Sequence, residues 1–283
     1  MRAMNIAASH APATASRQPG AREPFGMHLR HWRQRRRLSQ LDLAQEAEVS
    51  TRHLSYVETG RAAPSREMVL RLAERLDVPL RERNALLVAA GFAPMYRQRG
   101  LDDPALAAAR RAVDLVLKGH EPYPALAVDR HWNLVAHNAL VPLLMADASP
   151  ELLKPPINVL RLSLHPEGIA SKIANLAQWR AHLLERLLQQ VAATGDAMLQ
   201  ALHDELAAYP IGAPGSEATA GGGELSSVVV PFQLVTPGGL LSFISTTTIF
   251  GTPVDVTLQE LAVESFFPAD AQTAAALTAL AAA

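Results

Sequence analysis

Between residues 25 and 91 apolar positions recur three and four apart, in short runs broken by polar residues, which predicts five short helices. The first, over 25–37, turns Leu29 and Trp32 inward, with Arg30, Arg33, Arg35, Arg36 and Arg37 around them. Leu43, Ala44 and Ala47 mark the second, and Leu54 and Val57 the third. The fourth puts Val69, Leu72, Ala73 and Leu76 on one face and sets Glu67 four residues before Arg71 as an ion pair. The fifth covers 80–90, with Leu86 and Leu87 inward and Gly91 as its C-cap. Ser39, Ser50 and Ser65 stand just before three of these runs, where a hydroxyl can accept from free amides, so they are expected N-caps.

Beyond residue 92 the pattern changes. Residues 93–119 read as a linker and a connecting helix, the helix started by Asp103-Pro104 and ended by Gly119. A period of two then takes over: Ala125 to Asp129 and Trp132 to His137 predict a β-hairpin turning at Arg130-His131, and Asn138 opens a helix over Ala139 to Met145. Residues 157–164 are apolar with a polar break. A long helix over about 170–193 turns Ile173, Leu176, Ala177, Leu183, Leu184, Leu187 and Leu188 inward, and another runs from Gly195-Asp196 to Tyr209-Pro210. Residues 211–224 are Gly- and Ala-rich and read as a flexible insertion. Strands are expected from Ser227 to Leu234 and from Leu240 to Phe250. Thr252 to Glu264 reads as a partly helical or extended return before an alanine-rich helix. Residues 1–24 have no periodicity and read as a disordered leader, with Met4 and Met27 as alternative starts. The expected fold class is an all-α five-helix domain over 25–92 followed by an α+β domain over 120–283.

The second and third helices carry the most specific local signal. Capping serines, the small Ala44 where helices cross, Val49 as an apolar plug and two apolar faces all fit within residues 39–60. That is a helix-turn-helix, an arrangement whose second helix lies in the DNA major groove. With Leu54 and Val57 inward, the opposite face presents Thr51, Arg52, Ser55, Tyr56 and Thr59. Arg52 has the geometry to donate to guanine O6 and N7, with a phosphate contact or a surface ion pair as its alternatives. Tyr56 can meet a thymine methyl or a phosphate, and His53 reads as a half-buried bystander.

Charge sharpens this picture. Residues 1–100 hold 17 Arg and 9 acidic residues, a balance of +8; the remainder holds 9 basic and 18 acidic, a balance of −9. One half is suited to a polyanion and the other is not. There is no cysteine, which excludes disulfides and thiolate metal sites. No run of eighteen apolar residues offers a membrane span. A bacterial cytoplasm is the expected location. His182 and Glu185 share a helix face without a third ligand, Thr246-Thr247-Thr248 fits a strand, and no nucleophile elbow, phosphate loop or dinucleotide fingerprint occurs. No catalytic residue, metal site or cofactor is expected.

Leu29-Arg30 with Arg33, Leu38-Ser39-Gln40 with Leu43-Ala44, Val49-Ser50, Leu54-Ser55 with Val57-Glu58, Gly60-Arg61 and Pro64-Ser65 resemble the Xre-type helix-turn-helix family. Glu48 departs from it, standing where the family usually has glycine; a positive φ there would cost roughly 1 kcal/mol. The resemblance implies that Thr51, Arg52, Ser55 and Tyr56 face bases and that Gln40 and the loop around Arg61 hold phosphates, with Ser50 and Thr59 placed in the phosphate set. It also implies an Arg33–Glu58 ion pair and, with the small size of the domain, a homodimer on a pseudo-palindromic operator in double-stranded DNA.

Thr51-Arg52-His53-Leu54-Ser55, Pro64 to Met68, Arg83 to Leu87 with Ala89-Ala90-Gly91, Asp129-Arg130 with Trp132-Asn133 and Asn138, and Asn158 to Arg161 together look like the MmyB-like transcription regulators. That resemblance implies a PAS-like ligand-binding domain and fatty-acid-type ligands. Trp132 and Trp179 are candidate pocket walls, and Arg180 or His165 candidate partners of a ligand carboxylate; a place in the plain core, or in a turn for His165, is the alternative. The functional expectation is a DNA-binding regulator that senses a small apolar or amphipathic ligand. The alternatives are a ligand-independent repressor whose second domain only dimerises, and an enzyme localised by its DNA-binding segment.

Overall fold

The computed structural model describes residues 24–210, 229–251 and 253–282. The expected leader (but for Pro24), the 211–224 insertion and the start of the strand expected at Ser227 lie outside the described residues. The chain divides into two compact units: residues 24–76 with 86–92, and residues 77–85 with everything described from Ala93 onward.

Helices α1 (Phe25–Arg35), α2 (Gln40–Glu46), α3 (Thr51–Glu58), α4 (Arg66–Arg75) and α5 (Leu80–Ala89) follow the expected order. The division between the units falls within α5. Leu29, Leu43, Leu54, Leu72, Leu76, Leu86 and Leu87 are fully buried, as their spacing requires. Ser39, Ser50 and Ser65 cap α2, α3 and α4, and Ser39 completes a capping box with Asp42. The turn after α2 closes through Glu48 N–H to the Gln45 carbonyl and Val49 N–H to the Ala44 carbonyl, with Glu48 at φ 54°. A glycine's conformation is thus imposed on a glutamate. Gly26 has its reason in packing: a Cβ there would lie 2.4 Å from the Glu58 carbonyl oxygen, so α1 meets the end of α3 backbone to backbone. The expected Glu67–Arg71 pair does not form. Arg71 donates instead to the Ala47 carbonyl at 3.4 Å, which ties α4 to the end of α2.

The second unit is α+β. A short 3-10 turn (Pro104–Leu106) leads into α6 (Ala107–Gly119), followed by β1 (Ala125–Val128), β2 (Leu134–His137), α7 (Leu140–Met145), α8 (Val159–Leu164), α9 (Leu176–Thr194) and α10 (Ala197–Ala208). Then come β3 (Phe232–Thr236), β4 (Gly239–Ile249), α11 (Val256–Gln259), β5 (Ala262–Pro268) and α12 (Ala271–Ala282). The strands form one antiparallel sheet in the order β2-β1-β5-β4-β3. This helix-backed antiparallel sheet is the expected α+β, PAS-like arrangement. Alternate residues of β1 serve opposite faces. Leu126 and Val128 join a large core with α8, α9, α10 and β3–β4, while Ala125 and Ala127 pack with Val113 and Leu117 of α6.

Three local expectations are corrected. Trp132 belongs to the hairpin turn and not to a strand, at φ 66°. Asn138 starts no helix: buried, it ties the Ala125 amide to the Leu117 and Tyr123 carbonyls, because its carboxamide can donate and accept at once. The stretch read as a partly helical or extended return up to Glu264 does hold a helical turn, α11, but its end is the start of β5, the central strand of the sheet, which runs on to Pro268.

Candidate functional site

Two sites emerge, one in each unit. In the first, α3 is amphipathic with Leu54 and Val57 buried, leaving Thr51 and Arg52 exposed and Ser55 and Tyr56 half-buried. Arg52 Nε donates to the Tyr56 hydroxyl at 3.2 Å, with its guanidinium 5.4 Å from the ring centroid. His53 is exposed, not half-buried as its sequence context suggested. The chain leaves α3 through Gly60 at φ 73°, whose N–H reaches the Val57 carbonyl while the Arg61 N–H reaches that of Tyr56. That turn presents an exposed Arg61 beside Thr59, whose hydroxyl donates back to the Ser55 carbonyl. The Ser50 hydroxyl caps α3 by accepting from the His53 amide at 3.1 Å, which leaves its proton to donate.

Beneath this face lies an ion pair. Arg33 Nε and one terminal nitrogen donate to the two Glu58 oxygens at 2.6 and 2.9 Å, and both residues are 8% exposed. Its bonds to Glu58 hold the Arg33 guanidinium pKa above the usual value, against the opposing effect of burial. Gln40 adds a third donor to Glu58 at 2.7 Å. This residue, placed in the phosphate set, therefore also braces α2 against α3.

In the second unit, α7, α8, α9 and the sheet line an apolar, half-open cavity of about 100 Å³. Its wall includes Leu126, Met145, Leu160, Trp179, Leu183, Phe232, Phe243 and Phe266. Trp132 also lines it, held by its own turn. Asp129 accepts from the His131 and Asn133 amides, and the Trp132 carbonyl accepts from Val159 N–H. Trp132 Nε1 donates to Gln190 at 2.8 Å. A bulky residue kept at positive φ by this many bonds marks a position where side-chain placement outweighs backbone comfort.

The cation at this cavity is Arg186, which is not among the residues expected from the sequence. It donates to Glu264 at 3.2 and 2.5 Å and to the Thr247 hydroxyl at 2.6 Å, with its guanidinium 4.6 Å from the Trp132 ring centroid. One signal was present: Trp179, Leu183 and Arg186 fall at i, i+4 and i+7, so the arginine lies on the apolar stripe of α9. The two groups expected to meet a carboxylate do not line the cavity. One terminal nitrogen of Arg180 donates to the Leu206 and Ala207 carbonyls, where the exposed dipoles of the end of α10 attract a cation, while its buried Nε has no partner among the described residues. His165 ends α8, accepting from the Glu167 amide and standing edge-on to Tyr209. His182 lies beside Trp179; burial and the Arg186 charge lower its pKa, so its imidazole favours the neutral form.

A wider cleft of about 480 Å³ in the same unit shares Trp132 and Arg186 with the apolar cavity. Among the charges that line it, Arg81 pairs with Glu260 and Arg130 with Asp196. Among the described residues no group of His, Asp and Glu could hold a metal ion, and no helix is long and apolar enough to cross a membrane.

Two stretches of the chain match known families. Residues 24–86 match the model of a helix-turn-helix domain, and residues 109–280 match that of the MmyB-like transcription regulator ligand binding domain. No curated protein matches the chain.

Proposed function

Because the chain belongs to the MmyB-like transcription regulators, we propose that it binds a pseudo-palindromic operator as a homodimer and changes operator affinity when its cavity takes an apolar or amphipathic molecule of fatty-acid type. A helix-turn-helix domain joined to a ligand-binding domain makes it a ligand-sensing transcription regulator; the ligand class and the dimer are our reading. On this reading Thr51, Arg52, Ser55 and Tyr56 meet base edges, and Gln40, Ser50, Thr59 and Arg61 meet phosphates. A cytoplasmic location suits this work.

The observation that carries the ligand class is the cavity. Apart from Ser163 and one ion pair its wall is apolar, as suits a mostly apolar ligand with few orienting contacts. Its size supports coupling as well. At about 100 Å³ it is smaller than the roughly 150 Å³ that admits benzene in an engineered core. On this reading a long alkyl chain fills it by displacing wall side chains such as the half-buried Leu144 and the adaptable Met145, so that the filled and empty states differ in packing. A ligand shifts an equilibrium only through such a difference between states.

The test is an organic extract of the purified protein, paired with titration of operator affinity by fatty acids of roughly ten to eighteen carbons. A coupling of about 1–3 kcal/mol, or 5- to 150-fold in affinity, is the expected response. If nothing is extracted and neither thermal stability nor operator affinity responds, the second unit serves dimerisation alone.

A further inference from the structure

We infer that the apolar cavity selects a ligand whose polar head is uncharged: an alcohol, ester or amide of a long chain, or a fatty acid entering as the protonated acid. This inference rests on the reading of the cavity as a ligand site and adds the charge state of what it takes.

The argument is one of charge balance. Among the residues lining the cavity the charged ones are Arg186 and Glu264, and they neutralise each other. The Thr247 hydroxyl closes the pair, accepting from Arg186 at 2.6 Å and donating to Glu264 at 2.9 Å. One face of the guanidinium is covered by Trp132, itself fixed by Gln190. The Glu264 side chain is 5% exposed. A ligand carboxylate could claim Arg186 only by evicting Glu264, leaving that anion buried without its partner. A ligand ammonium could claim Glu264 only by breaking the bonds of Arg186 to Glu264 and Thr247. The first exchange leaves an uncompensated anion away from water, the costliest outcome for a buried ion; the second leaves Arg186, 23% exposed, without its partner. His182 supplies no spare cation, since it lies outside the cavity wall and its protonation is opposed by burial and by Arg186.

A neutral head meets no such obstacle, and the wall holds a group suited to it. Ser163 lines the cavity; its hydroxyl accepts from Trp179 Nε1 at 3.1 Å, and its own proton has no acceptor among the described residues. A hydroxyl both donates and accepts, so Ser163 is free to donate to an alcohol, carbonyl or ester oxygen.

Decanol, methyl decanoate, decanoate and decylammonium have comparable chains and different heads. Calorimetric titration of the full chain at about pH 7.5, where the acid is ionised and the amine protonated, should give the alcohol and the ester dissociation constants roughly tenfold or more below those of the two ions. Ser163→Ala should weaken the alcohol severalfold. Glu264→Gln, which leaves Arg186 without its carboxylate, should reverse the order in favour of decanoate. Decanoate or decylammonium binding the wild-type chain as tightly as decanol overturns the proposal, and that ranking decides it even if Glu264→Gln does not fold. A folded Glu264→Gln that still prefers decanol overturns it too. If none of the four binds, the cavity reading itself fails and the proposal falls with it.

Discussion

Glu58 is a carboxylate in the last turn of α3, where the helix dipole disfavours negative charge and burial removes water. It is tolerable there because Arg33 meets both oxygens and Gln40 adds a third donor. Truncating one partner of such a buried pair typically costs about 3–5 kcal/mol, against roughly 0–1 for an exposed pair. Glu58→Ala should therefore destabilise the first unit well beyond the surface range, as read by urea denaturation; a loss below about 1 kcal/mol would mean that water already screens the pair. The resemblance implied this pair from sequence, but Gln40's part in it was not legible. Eighteen residues separate Gln40 from Glu58, and no periodicity links a polar helix start to the end of the next helix. The same blindness hid Arg186. An arginine on an apolar stripe reads as an interruption until the buried Glu264, 78 residues later, is seen to neutralise it. Trp132 and Trp179 stood in the sequence as candidate walls with the plain core as the alternative, and the two readings coincide: both line the cavity and both belong to the buried core around it.

At the scale of elements, the helices of the first unit were readable because capping, spacing and turn chemistry point the same way over short distances. The hairpin β1–β2 was readable for the same reason. Strand β5 was not. Its Glu264 and Ser265 break the apolar alternation, and both are buried because the strand is central and paired on both sides. Long-range pairing thus settles as a central strand a local pattern that reads only as a partly helical or extended return. For the recognition helix the consequence is a difference between two arginines. Arg52 lies on the outward face of α3, where a bidentate base contact would require it to leave Tyr56. Arg61 lies in the turn beyond the helix, where backbone and side chain reach a phosphate more readily than a base. Arg52→Ala should cost about 1–3 kcal/mol on the preferred operator and relax the preference at one position per half-site. Arg61→Ala should weaken all sequences about equally and flatten the salt dependence by about one phosphate. Binding to an operator series at several salt concentrations separates the two; equal loss on every sequence from Arg52→Ala would make Arg52 a phosphate contact.

At the scale of the molecule, charge and surface area decide how DNA is met. The balance of +8 over residues 1–100 against −9 over the rest restricts attraction to the first part of the chain, since the second would repel a wrapped duplex. A single small DNA-binding module buries only about 600–1,000 Å² on DNA, which is little for tight and specific binding. Two recognition helices from two chains double both contacts and information, and a two-fold axis then demands a pseudo-palindrome with half-sites about 34–36 Å, one helical turn, apart. The expected complex has two chains per operator. Inserting about five base pairs between the half-sites turns one of them to the far side of the duplex and should abolish the joint contact, whereas about ten should restore part of it. Sedimentation of the complex gives the stoichiometry, and a spacer series in a gel-shift titration gives the phase dependence. A complex of one chain per operator, with affinity indifferent to the spacer, would sink the dimer and leave the first unit as a monomeric reader whose tight binding must come from contacts outside α3.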